Sequence, residues 1–204
     1  MRIIDLHCYP GTQAWIDSQG PYVEALATYW KRGWTAKQED AVIAEFTEAG
    51  IEACLVALDL ETTVATPPCT NDYVHAMWRR HPERVIQCWG TLDPFKGELA
   101  MREARKAVTE LGFMGFHFHP IMQHFAVNDR RFYPLFELID ELVRCAENSG
   151  SQPRVPRKTA VWAVSSVPAG VIATPKSRPA LAAEISPSST SSSTFAGSRA
   201  KASP

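Results

Sequence analysis

Residues 84–120 read RVIQCWGTLDPFKGELAMREARKAVTELGFMGFHFHP, and this stretch contains two apolar runs separated by one amphipathic segment. The run at 84–89 predicts a strand. The segment from about 96 to 111 predicts a helix because its apolar residues recur at helical spacing. Gly112 is expected to end that helix, and residues 113–118 predict the next strand. Strands joined through a helix pair in parallel, so the stretch predicts a βαβ unit.

The same alternation continues on both sides of this unit. Toward the N-terminus, the sequence predicts a strand at 2–6, a helix between Thr35 and Gly50, a strand at 51–58, and a helix that Thr70 caps and Pro82 ends. Residues 11–32 are expected to be irregular, and a last helix is expected from about Phe132. Near-continuous apolar strands in the order βαβαβαβα indicate an α/β protein with a parallel sheet covered on both faces.

Two architectures fit this order, the (β/α)8 barrel and the open doubly wound sheet. The first strand is followed by HCYPG at residues 7–11 rather than by GxGxxG, and no GxxxxGK[ST] motif occurs. Both motifs place backbone N–H groups around phosphate. The sequence therefore gives no sign of a dinucleotide or nucleotide site, and it leaves both architectures open.

The composition changes abruptly after Asn148. Of the last 56 residues, 30 are Ser, Ala or Pro, and only Trp162 and Phe195 are aromatic. Such a segment buries too little apolar surface to offset its chain entropy. The sequence therefore predicts an ordered α/β domain over residues 1–148 and a disordered Ser/Pro/Ala-rich tail over 149–204.

Charge and cysteine content restrict the class of partner and compartment. The net charge of −1 gives no electrostatic reason to expect nucleic acid or an anionic membrane as partner. No apolar run is long enough for a transmembrane helix, and the N-terminus lacks the apolar core of a secretory signal. The five Cys form no CxxC motif and are odd in number, which favours a reduced, cytoplasmic setting.

Polar residues gather where the predicted strands end. Asp5, His7 and Tyr9 alternate after the first strand, and His117 and His119 alternate after the fourth. Residues two apart on a strand point to the same face, and active sites of parallel α/β folds form at the carboxyl ends of strands. Imidazoles from two strand ends that face one mouth suit a divalent metal.

Three segments carry a family resemblance, namely IIDLHCYPG at 3–11, NDYVHAMWRRHPERVIQCWGTLDP at 71–94 and LGFMGFHFHPIMQHFAVNDRRFYPLFELIDEL at 111–142. They resemble the decarboxylase-like branch of the amidohydrolase-related superfamily, which includes aminocarboxymuconate-semialdehyde decarboxylase and the nonoxidative hydroxybenzoate decarboxylases. The resemblance implies the N-terminal half of a (β/α)8 TIM-type barrel with one divalent metal, zinc or manganese. It also implies hydrolysis or nonoxidative decarboxylation of a small carboxylated substrate.

The resemblance carries over to individual positions. The first motif of the family is DxHxH, whose two His bind metal; His7 matches the first and Tyr9 stands at the second. His117 occupies a position that is often Lys in relatives with a GVKLHP-like motif, and His119-Pro120 matches the His-Pro of that motif. The resemblance therefore implies His7 as a metal ligand. It implies Tyr9, His117 and His119 as substrate-binding residues or as residues behind the ligands.

The resemblance also implies later residues that this sequence does not contain. The family continues with a strand whose His binds metal, a His that acts as base, and a late Asp, whereas none of the six His here lies beyond position 124. The chain as given is therefore expected to be truncated and inactive, with poor solubility or homo-oligomerisation through uncovered surfaces. Alternatives are a non-catalytic remnant without metal and an unrelated α/β binding module.

The genetic code offers an origin for the tail. Read one base out of register, residues 185–193 can encode FPELNIII under permitted codon choices, which is similar to the FPELxIII segment of the family. Likewise, Trp162-Ala163 must yield Gly, in keeping with a glycine-rich stretch of the family. A frameshift or mis-spliced junction near 142–149 explains the composition break, and a genuine disordered tail is the rival explanation.

Overall fold

The computed structural model describes residues 2–148 and 163–164, all within one compact unit that spans residues 1–173. The strands are β1 (Ile3–Cys8), β2 (Ile51–Val56), β3 (Val85–Thr91), β4 (Phe116–Phe118) and β5 (Ala163–Val164). The helices are α1 (Gln13–Gln19), α2 (Tyr22–Trp30), α3 (Glu39–Ala49), α4 (Glu61–Val64), α5 (Asn71–Arg80), α6 (Glu98–Thr109) and α7 (Tyr133–Asn148). Apart from Ala163 and Val164, the predicted disordered tail at 149–204 lies outside the described residues.

The strands form one parallel sheet in the order β1-β2-β3-β4-β5. Ile3 pairs with Ile51 and Gly90 pairs with Phe116, so each strand lies beside the next one along the chain. A doubly wound sheet reverses its strand order at a switch point, whereas a barrel sheet runs in sequence order. The sheet therefore has barrel order, and the open-sheet alternative is excluded for the described strands.

The two faces of the sheet differ in what covers them. One face packs against the helices in a large apolar cluster that includes Leu55 and Phe118 from strands and Val108 and Leu138 from helices. The opposite face carries a small cluster of Cys54, Val56 and Trp89 with no helical residue. The second face is the concave, inner side of a barrel wall, and it is this side that faces the predicted site.

The aromatic segment 11–32 was expected to be irregular, and this expectation is wrong. It forms α1 and α2, which bury Trp15, Tyr22 and Leu26. Gly20, at φ 54°, and Pro21 separate the two helices, so each one is too short for helical spacing to stand out in the sequence.

Several helix and strand boundaries also differ from the predicted ones. The cap of α3 is Gln38 rather than Thr35, and Gly50 ends this helix with φ 65°. The Thr70 cap is confirmed, because its hydroxyl accepts a hydrogen bond from the Tyr73 N–H at 3.1 Å. A 3₁₀ turn at Pro94–Lys96 delays the start of α6, and β4 starts only at Phe116.

Two further observations concern the described residues as a group. None of their helices is both long enough and apolar enough to cross a bilayer. All five cysteines are free thiols, of which only Cys145 is exposed.

Candidate metal centre

His7 lies in an irregular part of β1. The register of β1 on β2 shifts between Asp5 and Cys8, and the His7 N–H donates a hydrogen bond to Asp5 Oδ1 at 2.9 Å. The imidazole is partly buried, which lowers its pKa, and Nε2 is fully buried with no hydrogen-bond partner among the described residues. This strand end therefore presents a nitrogen that lacks a partner.

His117 presents its ring to His7 from β4. The two ring centroids lie 4.9 Å apart, and the His117 side chain has no exposed surface. Neither of its ring nitrogens has a hydrogen-bond partner in the described part of the chain. Burial, together with His7 and His119 nearby, lowers the pKa of His117 to about 3. The ring is thus neutral at physiological pH and keeps a free lone pair for a ligand.

His119 lies next to this pair but is already engaged. Its Nδ1 accepts a hydrogen bond from the Met122 N–H at 3.3 Å, and its ring centroid is 6.3 Å from that of His117. Burial lowers the pKa of His119 to about 4, so this ring is also neutral. The structure therefore places His119 at the edge of the His7–His117 pair.

Gln123 holds the loop that carries His119. Its Oε1 accepts from the His119 N–H at 2.8 Å, and its Nε2 donates to the carbonyl oxygens of Asp59 and Leu92 at 3.1 and 2.8 Å. One fully buried amide thus ties together the chain segments that follow β2, β3 and β4. Sequence reasoning missed this residue, because a single Gln in a loop gives no signal of its partners.

Tyr9 continues the cluster away from β4. Its ring lies 4.9 Å from that of His7 and 4.7 Å from that of Trp15, which in turn contacts Trp34 at 5.4 Å. Tyr9 and Trp34 also line a cleft of about 270 Å³ together with Arg32. The aromatic rings form a wall beside the imidazole pair.

The carboxylates at the ends of β2 and β3 form hydrogen bonds that hold neighbouring loops in place. Asp59 accepts a hydrogen bond from Lys96 Nζ at 2.6 Å. Asp93 is 1% exposed and accepts from the Thr62 hydroxyl at 2.6 Å and from the Phe95 N–H at 3.0 Å. Both side chains are thus committed to neighbouring loops. Within the described part of the chain, no three His, Cys, Asp or Glu side chains gather closely enough to hold a metal ion.

The remaining His lie elsewhere. His75 contacts Trp78 and Phe113, His81 contacts Glu39, and His124 shares a hydrogen bond with Tyr22 at 3.0 Å. Among the described residues, His7 and His117 therefore fit a divalent metal such as zinc best, because their buried nitrogens lack partners and imidazole is a ligand that zinc accepts. The roles of His7, Tyr9, His117 and His119 stay predictions.

A parallel sheet in sequence order, packed against helices on one face, defines the class as part of an α/β barrel. Residues 10–144 match the family described as Amidohydrolase. This match covers more than half of the chain, and the chain belongs to the amidohydrolase family. A search of curated proteins found no match.

The fold is similar to a crystal structure of a 5-carboxyvanillate decarboxylase variant from Novosphingobium aromaticivorans with bound manganese and 3-methoxy-4-hydroxy-5-nitrobenzoic acid. The identity is 22% and the TM-score 0.50, over 69% of this chain and 48% of that chain. The chain thus spans about half the length of that enzyme. Both the predicted family resemblance and the predicted N-terminal half of a (β/α)8 barrel are confirmed.

Proposed function

We propose that this chain carries the N-terminal part of a divalent-metal site for a small carboxylated substrate, with His7 as a metal ligand. The observation that supports this most is the buried Nε2 of His7, which has no hydrogen-bond partner among the described residues and lies beside the His117 ring. A buried polar atom without a partner is costly, so its retention at a strand end favours a role in binding.

In such a site, different residues of the chain bind the metal and contact the substrate. When bound, a divalent ion polarises a substrate oxygen or lowers the pKa of a bound water. His7 holds the ion, and the low pKa of His117 and of His119 keeps both rings uncharged, so they do not repel a cation. Tyr9 is partly exposed and offers an aromatic face on which a substrate ring can stack, and the buried Trp15 ring packs behind it.

The choice of reaction rests on the comparisons. Membership in the amidohydrolase family favours hydrolysis, whereas the similar solved structure is a decarboxylase with a carboxylated aromatic ligand. We propose nonoxidative decarboxylation of a carboxylated phenol as the reaction of the complete site. Hydrolysis of a small carboxylated substrate is the second candidate, supported by the family match.

The chain alone offers an incomplete ligand set. The sequence has no His after His124, and the described residues form no group of three metal-ligating side chains. A catalytic zinc ordinarily keeps three protein ligands, and the general base is most often a histidine. We propose that this chain by itself turns over little substrate. A non-catalytic remnant is the alternative, favoured by the same lack.

One experiment tests the proposal. The purified chain is loaded with zinc or manganese, desalted and measured for metal content, and then assayed for CO2 release from 5-carboxyvanillate and hydroxybenzoates. We expect bound metal that His7→Ala removes and that the control His75→Ala, on α5, retains, together with little CO2 release. A chain that holds no metal under any loading condition contradicts the proposal and supports the non-catalytic alternative.

A further inference from the structure

His117 is the most unusual buried polar group in the described part of the chain. Its side chain has no exposed surface, and both ring nitrogens lack a hydrogen-bond partner there. Its neighbours on β4, Phe116 and Phe118, are also buried but belong to the apolar cluster on the helix side of the sheet. His117 alternates with them and therefore faces the concave side, where His7 lies.

A purely structural role does not explain this imidazole. A neutral histidine carries one N–H donor and one acceptor nitrogen, and buried groups of this kind are nearly always paired. An apolar side chain would fill the same space without leaving two polar atoms unsatisfied. The residue is thus retained at a cost, and among the histidines of the described residues only His7, at Nε2, has another buried nitrogen without a partner.

The neighbouring side chains do not compete for the same role. His119 already accepts a hydrogen bond at Nδ1, and its backbone is fixed by Gln123. Tyr9, two residues after His7 in the chain, offers a phenol rather than an imidazole. Among the described residues, His7 and His117 are the two imidazoles with buried nitrogens that lack a partner, and their ring centroids lie 4.9 Å apart. At that separation both rings can ligate one ion.

We propose that His117 on β4 is the second protein ligand of the metal that His7 binds, so that one ion links the first and fourth strands across the concave face. The inference rests on the proposed function and extends it, because it assigns the metal-binding pair to two strands that are not neighbours.

The test compares metal affinity in the full chain and in variants. Zinc affinity is measured by competition with a chromophoric chelator, and cobalt loading is followed by visible absorption. The variants are His7→Ala, His117→Ala, His117→Gln and the double variant, with His75→Ala as matched control. We expect each His7 or His117 single variant to lose more than the roughly 10–100-fold in affinity that follows the loss of a ligand's hydrogen-bond partner. The double variant should lose little more, and the control should match the unmodified chain.

A second measurement keeps the inference testable if the variants fold poorly. The unmodified chain, labelled with 15N-histidine, is titrated with zinc, and the ring-nitrogen signals of His7 and His117 should move together at one equivalent. If only His7 responds, or if both His117 variants fold and bind zinc as the unmodified chain does, the assignment of His117 is wrong while the proposed function stands. If the unmodified chain binds no metal, the proposed function fails as well.

Discussion

The indole N–H of Trp89 donates a 2.6 Å hydrogen bond to the main-chain oxygen of Leu6. Trp89 belongs to β3 and Leu6 to β1, so this bond passes over β2 on the concave face, where Trp89 packs against Cys54 and Val56. Leu6 lies in the part of β1 where the register on β2 shifts. The Trp89 side chain thus provides a hydrogen-bond donor for the Leu6 carbonyl next to the register shift. This bond helps to fix the position of β1 immediately before His7.

We expect Trp89→Phe to lower the free energy of unfolding by about 1–3 kcal/mol, because it removes this donor and leaves the Leu6 oxygen without its partner. Zinc affinity should also fall, since His7 follows Leu6 directly. Chemical denaturation with and without zinc measures both effects. Trp78→Phe, on α5, is the control for losing a tryptophan. Equal zinc affinity of Trp89→Phe and the unmodified chain would show that the bond does not position His7.

Gly115 should tolerate a side chain poorly, because the Trp89 indole lies directly against it. A Cβ at this position would lie 2.7 Å from Cζ3 of Trp89, which is closer than non-bonded carbon atoms approach each other in proteins. We therefore expect Gly115→Ala to displace the indole and to destabilise the fold by about 1–3 kcal/mol. Gly33→Ala, where a Cβ would meet nothing within 4 Å, is the control in the same denaturation series. Equal stability of both variants would contradict this packing argument.

Replacement of Gln123 should be among the most damaging changes in a loop. Gln123→Ala leaves the His119 N–H and the Asp59 and Leu92 carbonyls without this partner, and we expect a loss of about 3 kcal/mol or more. The exposed Gln13→Ala should change stability by less than about 0.5 kcal/mol. Thermal unfolding of both variants measures the difference. A loss below about 1 kcal/mol for Gln123→Ala would mean that the three loops hold without this amide.

The contact between Glu39 and Arg80 predicts that the stability of the fold depends on pH. Its carboxylate accepts hydrogen bonds from Arg80 at 2.8 and 2.6 Å and lies 3.0 Å from His81 Nε2, and Arg80 is the main reason why the pKa of Glu39 is lowered from 4.5. A carboxyl with a lowered pKa stabilises the fold above the pKa of the unfolded chain, and this contribution is lost as the pH falls through the lower, folded value.

Glu39→Gln should therefore cost up to about 1 kcal/mol at pH 7, a limit set by the exposure of Arg80, and it should flatten the acid limb of the stability curve below about pH 4.5. Denaturation at a series of pH values checks both expectations. Glu48→Gln removes an exposed carboxyl of the same helix as control. A Glu39→Gln curve parallel to that of the unmodified chain would contradict the prediction.

Edge strand β1 should promote self-association. Ile3, Ile4 and Leu6 are 44%, 39% and 54% exposed, and β1 ends the sheet of the described strands. An exposed apolar edge pairs readily with another chain, so Leu6→Lys should shift sedimentation toward the monomer. Leu99→Lys changes an equally exposed leucine of α6, at 56%, and should leave association as it was. If both variants associate like the unmodified chain, the edge is not the contact.

The sequence predicted the βα order and the strands because their apolar runs are long and bounded by Gly, Pro and capping residues. The Thr70 cap illustrates this, since its hydrogen bond to Tyr73 is local and depends on three neighbouring positions. Helices α1 and α2 escaped prediction because each is short, and the pattern of Trp15, Tyr22 and Leu26 becomes visible only when the sheet is present to bury them.

Site prediction met a different limit. The alternation of His117 and His119 predicted that they share a face, and their rings lie 6.3 Å apart, but their separate environments depend on distant residues. Gln123 accepts a hydrogen bond from the His119 N–H, four residues earlier, and also donates to the carbonyl oxygens of Asp59 and Leu92. His117 contacts His7, which lies far from it in the sequence. Contacts between residues so far apart in sequence leave no periodic trace in the chain.

The strand order also bears on how the chain assembles while it is being made. Ile3 pairs with Ile51, Ala53 with Val85, and Gly90 with Phe116, so each new strand docks on one that the ribosome has already released. No described strand pair must wait for a segment inserted later between its neighbours. Growth of the wall can therefore keep pace with translation from the N-terminus, one strand and one helix at a time. The imidazoles of His7 and His117 meet only when the fourth strand arrives, so the nascent chain acquires this pair of neighbouring rings late.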